Sequence, residues 1–132
     1  MTFFIDATTG VTSEALATMT INQNGSTSTA TSYTVTGGKT LRIQSYTVSA
    51  QETGSTVQTS KTRLRSAGTV SATSPVLHAT FVSTTGATNS VNSLSTSFPD
   101  GLEIAGGQQI GISHLESSTS SDVTVSVVGY EY

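Results

Sequence analysis

The chain has 132 residues and a formal net charge of −3, and only 10% of its residues are charged. Globular domains average about 25% charged residues. Small hydroxyl side chains take their place, since the sequence contains 26 Thr and 22 Ser. Such a composition provides few groups for acid–base chemistry, so it favours a β-rich structural or binding protein over an enzyme. The length fits one domain.

Charge and cysteine content exclude several other classes. Proteins that bind nucleic acid usually cluster Lys and Arg, and five cations in an acidic chain make that partner unexpected. Cysteine is absent, which excludes disulfides and thiolate metal sites. No apolar run approaches the roughly 18–20 residues that span a bilayer, so we expect no membrane partner. The first residues lack the basic and apolar regions of a signal peptide, which predicts synthesis in the cytoplasm.

The first ten residues allow two interpretations. Phe3, Phe4 and Ile5 form a short apolar segment without helix or hairpin signals. The segment 1–10 is either an N-terminal arm that contacts a partner or the first strand of the core. We expect 11–132 to form a single β-sandwich domain.

The next segments are less regular. Residues 12–19 could begin a short helix with a hydroxyl cap. Apolar residues at alternate positions, namely Ala15, Ala17, Met19 and Ile21, slightly favour a strand. The following segment, 22–32, is low in complexity, and we predict a loop there.

A period of two dominates the rest of the chain. In 41–50 the alternation changes phase around Gln44 and Ser45, which predicts a β-bulge or two strand halves that face different layers. The C-terminal strand alternates through 123–127 and then shifts phase into Val128, Tyr130 and Tyr132. Further candidate strands are 32–36, 61–66, 76–82, 93–98 and 109–114. Predicted turns are Asn24-Gly25, Gly37-Gly38, Thr53-Gly54, Ala67-Gly68, Gly86, Pro99-Asp100-Gly101 and Gly106-Gly107.

Short strands separated by glycine-containing turns predict an all-β fold. We expect an antiparallel two-sheet sandwich of about eight strands, jelly-roll-like because eight strands in this length is usual for that topology. An immunoglobulin-like sandwich is the alternative, although its Cys–Trp–Cys pattern is absent.

Candidate catalytic and metal-binding groups are sparse. His78 and His114, with Asp100 or Asp122 and one of the many serines, could form a hydrolase triad, but no Gly-x-Ser-x-Gly motif is present. The carboxylates are scattered and show no Asp-x-Asp spacing, which calcium sites favour. We therefore expect no enzymatic activity, no cofactor and no metal site.

Two groups of residues could contact a partner. Lys61, Arg63 and Arg65 lie in phase on one strand and predict a basic stripe. The stripe is either a solvated face that discourages edge pairing or a contact to an acidic partner. Carbohydrate binding requires exposed aromatic rings near polar groups, and Tyr130, Tyr132, Asp100 and Glu103 are the candidate set.

Three segments resemble small β-sandwich structural proteins of tailed bacteriophages, in particular head-decoration (cement) proteins and tail or baseplate accessories. These segments are 38–45, which follows a Gly-Gly turn, 98–114, and the last strand, 123–132. The likeness lies in Ser/Thr-rich strands without cysteine or a signal peptide. It implies a jelly-roll unit, often trimeric, that sits over junctions between capsid subunits and clamps them. In such proteins an N-terminal arm often makes the contact.

The resemblance and the composition together predict a non-enzymatic virion structural protein on the capsid surface, made in the host cytoplasm. Its expected partner is the major capsid protein or another virion subunit, and it is expected to form a homo-oligomer, with a trimer favoured. The predicted partner-binding residues are Phe3, Phe4 and Ile5, with Arg63 and Arg65 as secondary polar contacts. The alternative function is a carbohydrate-binding or host-recognition module of a phage tail or adhesin.

Overall fold

A computed structural model describes residues 2–9, 14–23, 25–117 and 121–132, with side chains for 14–23, 25–117 and 122–132. The described residues form strands and no helix. The strands are β1 (Thr2–Thr9), β2 (Ala15–Leu16), β3 (Met19–Gln23), β4 (Ser26–Ala30), β5 (Tyr33–Thr34), β6 (Thr40–Glu52), β7 (Thr59–Ala67), β8 (Val76–Ser83), β9 (Val91–Ala105), β10 (Gln109–Glu116) and β11 (Ser121–Glu131).

The strands form two antiparallel sheets. Sheet A has the order β4-β3-β1-β11-β6-β9, and sheet B has the order β2-β10-β7-β8, with β5 also paired to β10. Buried residues of both sheets share one hydrophobic core, as in a sandwich. The predicted all-β antiparallel fold is confirmed. From β6 onward the chain crosses repeatedly between the sheets, an order compatible with a jelly roll.

A bulge in β6 reconciles the two phases of its sequence. Val128 pairs with Ser45 and Gly129 with Ile43, so Gln44 is skipped by β11. It is skipped by β9 as well. Leu41 and Ile43 before the bulge, and Tyr46, Val48 and Ala50 after it, are all buried. The predicted bulge is therefore confirmed, and it keeps both halves of β6 facing the same core.

Two local predictions were wrong. The predicted loop 22–32 contains β4, which forms a hairpin with β3. Four of the five side chains of β4 are exposed, so its Ser/Thr-rich sequence shows no apolar alternation that would have indicated a strand. The Pro99-Asp100-Gly101 turn does not separate two strands: it lies within β9, opposite the β6 bulge. Gly101 has a positive φ of 75°, which allows this irregularity.

The space between the sheets is apolar at one end and polar at the other. The apolar part contains Val125, Leu64 and Ile112, which are at most 1% exposed. Glu52 and its neighbours on sheet B form the polar part, in which Glu52 accepts hydrogen bonds from Thr84 and from the backbone of Gly86. This carboxylate organises the β8–β9 connection. Other buried polar side chains include Gln58, Ser60, Thr62, Thr80, His114 and Glu116.

Across the described residues, no helix has the length and apolarity that a membrane-spanning helix requires.

Candidate functional site

The predicted apolar contact residues lie in β1, inside sheet A. Phe3 pairs with Val127 of β11 and Ile21 of β3, two positions whose side chains are buried. Ile5 pairs with Val125, and Phe4 lies opposite Ser126 and Thr20. The segment is therefore a strand with neighbours on both sides. Contact between these residues and a partner stays a prediction.

The basic stripe lies on β7, on the outer face of sheet B. Arg63 pairs with Glu14 Oε2 at 2.5 Å, and Arg65 Nη2 pairs with Glu14 Oε1 at 2.8 Å. Arg65 also donates to Ser113 Oγ at 2.8 Å and to the carbonyl of Ser74. Arg65 is buried. Two cations of the stripe are thus engaged within the chain, and their contact with an acidic partner remains untested.

Glu14 is the residue that holds this network together. Burial alone would raise the pKa of its carboxyl, but hydrogen bonds from Arg65, Ser113 and Arg63, with the charge of Arg63, outweigh it and lower the pKa to about 2. The carboxylate is therefore ionised at neutral pH. Its role could not be predicted from the sequence, because Glu14 is 49 residues from Arg63 and only the β2–β10 pairing brings them together.

Lys61 differs from the two arginines. Among the described residues, no carboxylate lies within ion-pairing distance of its ammonium group. Its Nζ lies 5.7 Å from the ring centroid of Phe81, which is 56% exposed. On its other side, Lys61 is in register with Leu115 of β10. Beside it lies an open depression of about 430 Å³, lined by Thr59, Lys61, Leu115, Glu116 and Ser117.

A second polar group lies on the outer face of sheet A, and we call it the tyrosine cluster: Arg42, Glu103, Tyr130 and Tyr132. Arg42 Nη2 donates to Glu103 Oε1 at 2.5 Å and to Tyr132 Oη at 3.2 Å. Tyr132 Oη in turn donates to the same carboxylate oxygen at 2.7 Å. The guanidinium carbon lies 5.0 Å from the Tyr132 ring centroid, and the two tyrosine rings are 6.0 Å apart.

The charges of the tyrosine cluster stabilise one another. The hydrogen bond to Glu103 raises the pKa of Arg42, and the hydrogen bond from Arg42 lowers the pKa of Glu103. The bond to Glu103 also raises the pKa of the Tyr132 hydroxyl. At neutral pH the cluster therefore holds the Arg42–Glu103 ion pair and a neutral Tyr132 phenol. Asp100, the fourth residue of the predicted carbohydrate set, makes none of the described contacts in it.

Next to the tyrosine cluster, the outer face of sheet A carries hydroxyl side chains. Thr47 Oγ1 and Ser95 Oγ are 3.0 Å apart, and Ser49 Oγ and Ser93 Oγ are 2.6 Å apart. Both pairs join β6 to β9. Because the hydroxyls bond to each other, covering this face would leave few polar groups without a partner. We call these two pairs the hydroxyl ladder.

Neither histidine lies in a triad-like arrangement in the described part of the chain. The His78 ring packs edge-on against Tyr46 and Phe98, with both centroid distances 5.3 Å. His114 is buried, and its Nδ1 lies 2.8 Å from Glu116 Oε1. Its carboxylate neighbour is therefore Glu116, and not Asp100 or Asp122 as the predicted triad requires. Within the described residues, no group of three or more His, Asp or Glu side chains is placed to hold a metal ion.

No family model and no curated protein matches this sequence.

Proposed function

We propose that the chain is a non-enzymatic virion structural protein, a jelly-roll unit that binds a capsid lattice and stabilises it. The β-sandwich and its strand order support this proposal, as does the resemblance of the Ser/Thr-rich, cysteine-free strands to those of phage decoration proteins. The observation that carries it is the outer face of sheet A, where the tyrosine cluster adjoins the uncharged hydroxyl ladder.

The physical properties of this face suit contact with protein. Tyr and Arg are enriched among the residues that dominate interface energies, and Tyr130 and Tyr132 are 40% and 54% exposed. The cation–π contact and the hydrogen bonds of Arg42 hold the Tyr132 ring in place before binding, so less side-chain entropy is lost. Hydroxyls that already bond to each other cost little to desolvate.

Sedimentation with capsid shells tests the proposal. The shells would be assembled from the major capsid protein of the phage whose genome encodes the chain. We expect Tyr132→Ala and Ser95→Arg to weaken co-sedimentation by at least about tenfold, the range of interface anchors. Thr69→Arg, an exposed change in the β7–β8 connection, should leave it unchanged. Because little charge is involved, attachment should persist when NaCl is raised from about 0.1 M to 0.5 M.

Circular dichroism of each variant must show the wild-type fold for this comparison to count. Failure of the wild-type chain to sediment with the shells would refute the proposal. Equal attachment of all three variants would show that the outer face of sheet A does not contact the capsid.

Carbohydrate binding is the second candidate, because the structure brings together three of the four residues predicted for it. Tyr130, Tyr132 and Glu103 combine exposed rings with a carboxylate, the arrangement that stacks on and hydrogen-bonds to a pyranose. A glycan array distinguishes the candidates. Saturable binding that is lost in Tyr132→Ala, without attachment to capsid shells, would favour a host-recognition module.

A further inference from the structure

The outer face of sheet B carries a second surface, separate from the tyrosine cluster and the hydroxyl ladder. Phe81, Lys61 and Leu115 lie side by side on β8, β7 and β10, since Lys61 is in register with both of the others. We call this the Lys61 row. It places one ammonium group between two apolar side chains.

The row is bounded by hydroxyl groups on one side. Thr59 is in register with Ser83 on β8, and their hydroxyls are 3.3 Å apart. Thr59 also exchanges hydrogen bonds with Ser117, both at 2.9 Å. The depression beside Lys61 has a volume of about 430 Å³, enough for a few side chains but small for a large ligand.

Charge defines what the row can bind. Arg63 and Arg65 both pair with Glu14, whereas Lys61 has no carboxylate within ion-pairing distance among the described residues. Phe81 is 56% exposed beside it. A partner carboxylate close to Lys61 would neutralise the charge of its ammonium group. Apolar residues on either side of that carboxylate in the partner would then cover Phe81 and Leu115.

We propose that the Lys61 row docks an extended segment of another virion protein, with an acidic residue between two apolar residues. In an extended chain, side chains two positions apart share one face. A segment with the order apolar-x-acid-x-apolar therefore presents all three side chains to the row. The proposed function enters only in naming a virion protein as the source of the segment.

Nuclear magnetic resonance titration of the full chain with a defined peptide tests the docking. The probe is acetyl-Leu-Ser-Asp-Ser-Leu-amide, and its matched control has Asn in place of Asp. We expect saturable amide shift changes at Lys61, Phe81, Leu115 and Ser117 with a dissociation constant on the order of millimolar. The Asn peptide should bind about tenfold more weakly, since the charged hydrogen bond is lost.

Two lysine variants locate the effect. Lys61→Met retains the aliphatic stem but removes the charge, and it should weaken the Asp peptide about tenfold. Lys39→Met changes an exposed lysine next to the Gly37–Gly38 turn and should bind like the wild type. The dispersion of each spectrum reports directly whether the variant is folded.

Three results would overturn the inference: equal binding of the Asp and Asn peptides, unchanged binding by Lys61→Met, or shifts that map away from the row. Saturation by glucuronic acid at lower concentration than the peptide would also overturn it, because the row would then be a site for acidic saccharide. The peptide titration needs no capsid shell. Its failure is therefore distinguishable from a failure of the chain to attach to capsids.

Discussion

Glu14 shows how a single carboxylate can determine the character of a surface. It pairs with both arginines on β7, and its two oxygens accept hydrogen bonds from Arg63, Arg65 and Ser113. Of the three cations that the sequence places on this stripe, Lys61 alone has no carboxylate within ion-pairing distance among the described residues.

Replacing Glu14 by Gln should destabilise the protein in a pH-dependent way. The folded pKa of about 2 lies below the ordinary value of 4.5, so the ionised carboxylate stabilises the fold above about pH 5. That contribution is lost as pH falls towards 2. We expect Glu14→Gln to lower the free energy of unfolding by about 1–3 kcal/mol at pH 7. Urea denaturation at pH 7 and pH 3 should show the difference shrinking at the lower pH.

Glu103→Gln provides the matched control, since Glu103 also pairs with an arginine but does so on an exposed surface. Exposed ion pairs contribute little to stability. A loss for Glu103→Gln as large as that for Glu14→Gln would show that burial of the Glu14 network is unimportant.

At the scale of the strand, the bulge at Gln44 determines which side chains reach the solvent. On the N-terminal side of the bulge, Arg42 pairs with Tyr130. Both lie on the outer face, while Ile43 and Leu41 remain buried. The sequence predicted this bulge from a change in alternation, because a strand with one buried face records its phase in the apolar residues. Alternation does not show which strands are neighbours. It therefore could not predict that the residues of the tyrosine cluster, which lie on different strands, come together.

Gly129 is required at this bulge. A Cβ atom added there would lie 2.5 Å from the carbonyl oxygen of Arg42, and backbone cannot move aside cheaply. We expect Gly129→Ala to destabilise the protein by about 1–3 kcal/mol, as overpacking does. Thermal denaturation measures the loss. Gly37→Ala, where an added Cβ meets nothing within 4 Å, should be neutral, and equal effects of both changes would contradict the steric explanation.

Deleting residues 1–5 distinguishes the two interpretations of the N-terminal segment. β1 pairs with β3 on one side and β11 on the other, so the deletion removes backbone hydrogen bonds to both. We expect the truncated chain to lose its cooperative unfolding transition in urea. A truncated chain that folds normally but no longer attaches to capsid shells would instead support the arm.

At the scale of the molecule, the sequence predicted the fold class but not the interior. Alternation and glycine-containing turns suffice to predict an antiparallel sandwich, because they record which face of each strand is buried. The polar end of the interior left no such record, since Ser60, Thr62 and Thr80 resemble the surface residues of this Ser/Thr-rich chain. Long-range partners such as Glu14 and Arg65 depend on strand order, which local patterns do not encode.

The thin apolar core predicts self-association. Among the described residues the buried core cluster contains two aromatic residues, Tyr33 and Tyr46, and the chain lacks Trp. Small cores often gain stability from oligomers. We expect light scattering on a size-exclusion column to give about three times the chain mass of 13.5 kDa. A mass of 13.5 kDa at all concentrations would contradict the trimer but leave attachment of single copies to a capsid open to the sedimentation test.

The positions of the five cations also determine where a protease can cut the folded chain. Trypsin cleaves after Lys and Arg, and four of these residues lie within β6 and β7, where the backbone is paired. Lys39 alone lies in an exposed turn, just before β6. Native digestion should therefore give one nick, after Lys39. Because β1 remains paired with β11, the two fragments should stay together until a denaturant separates them.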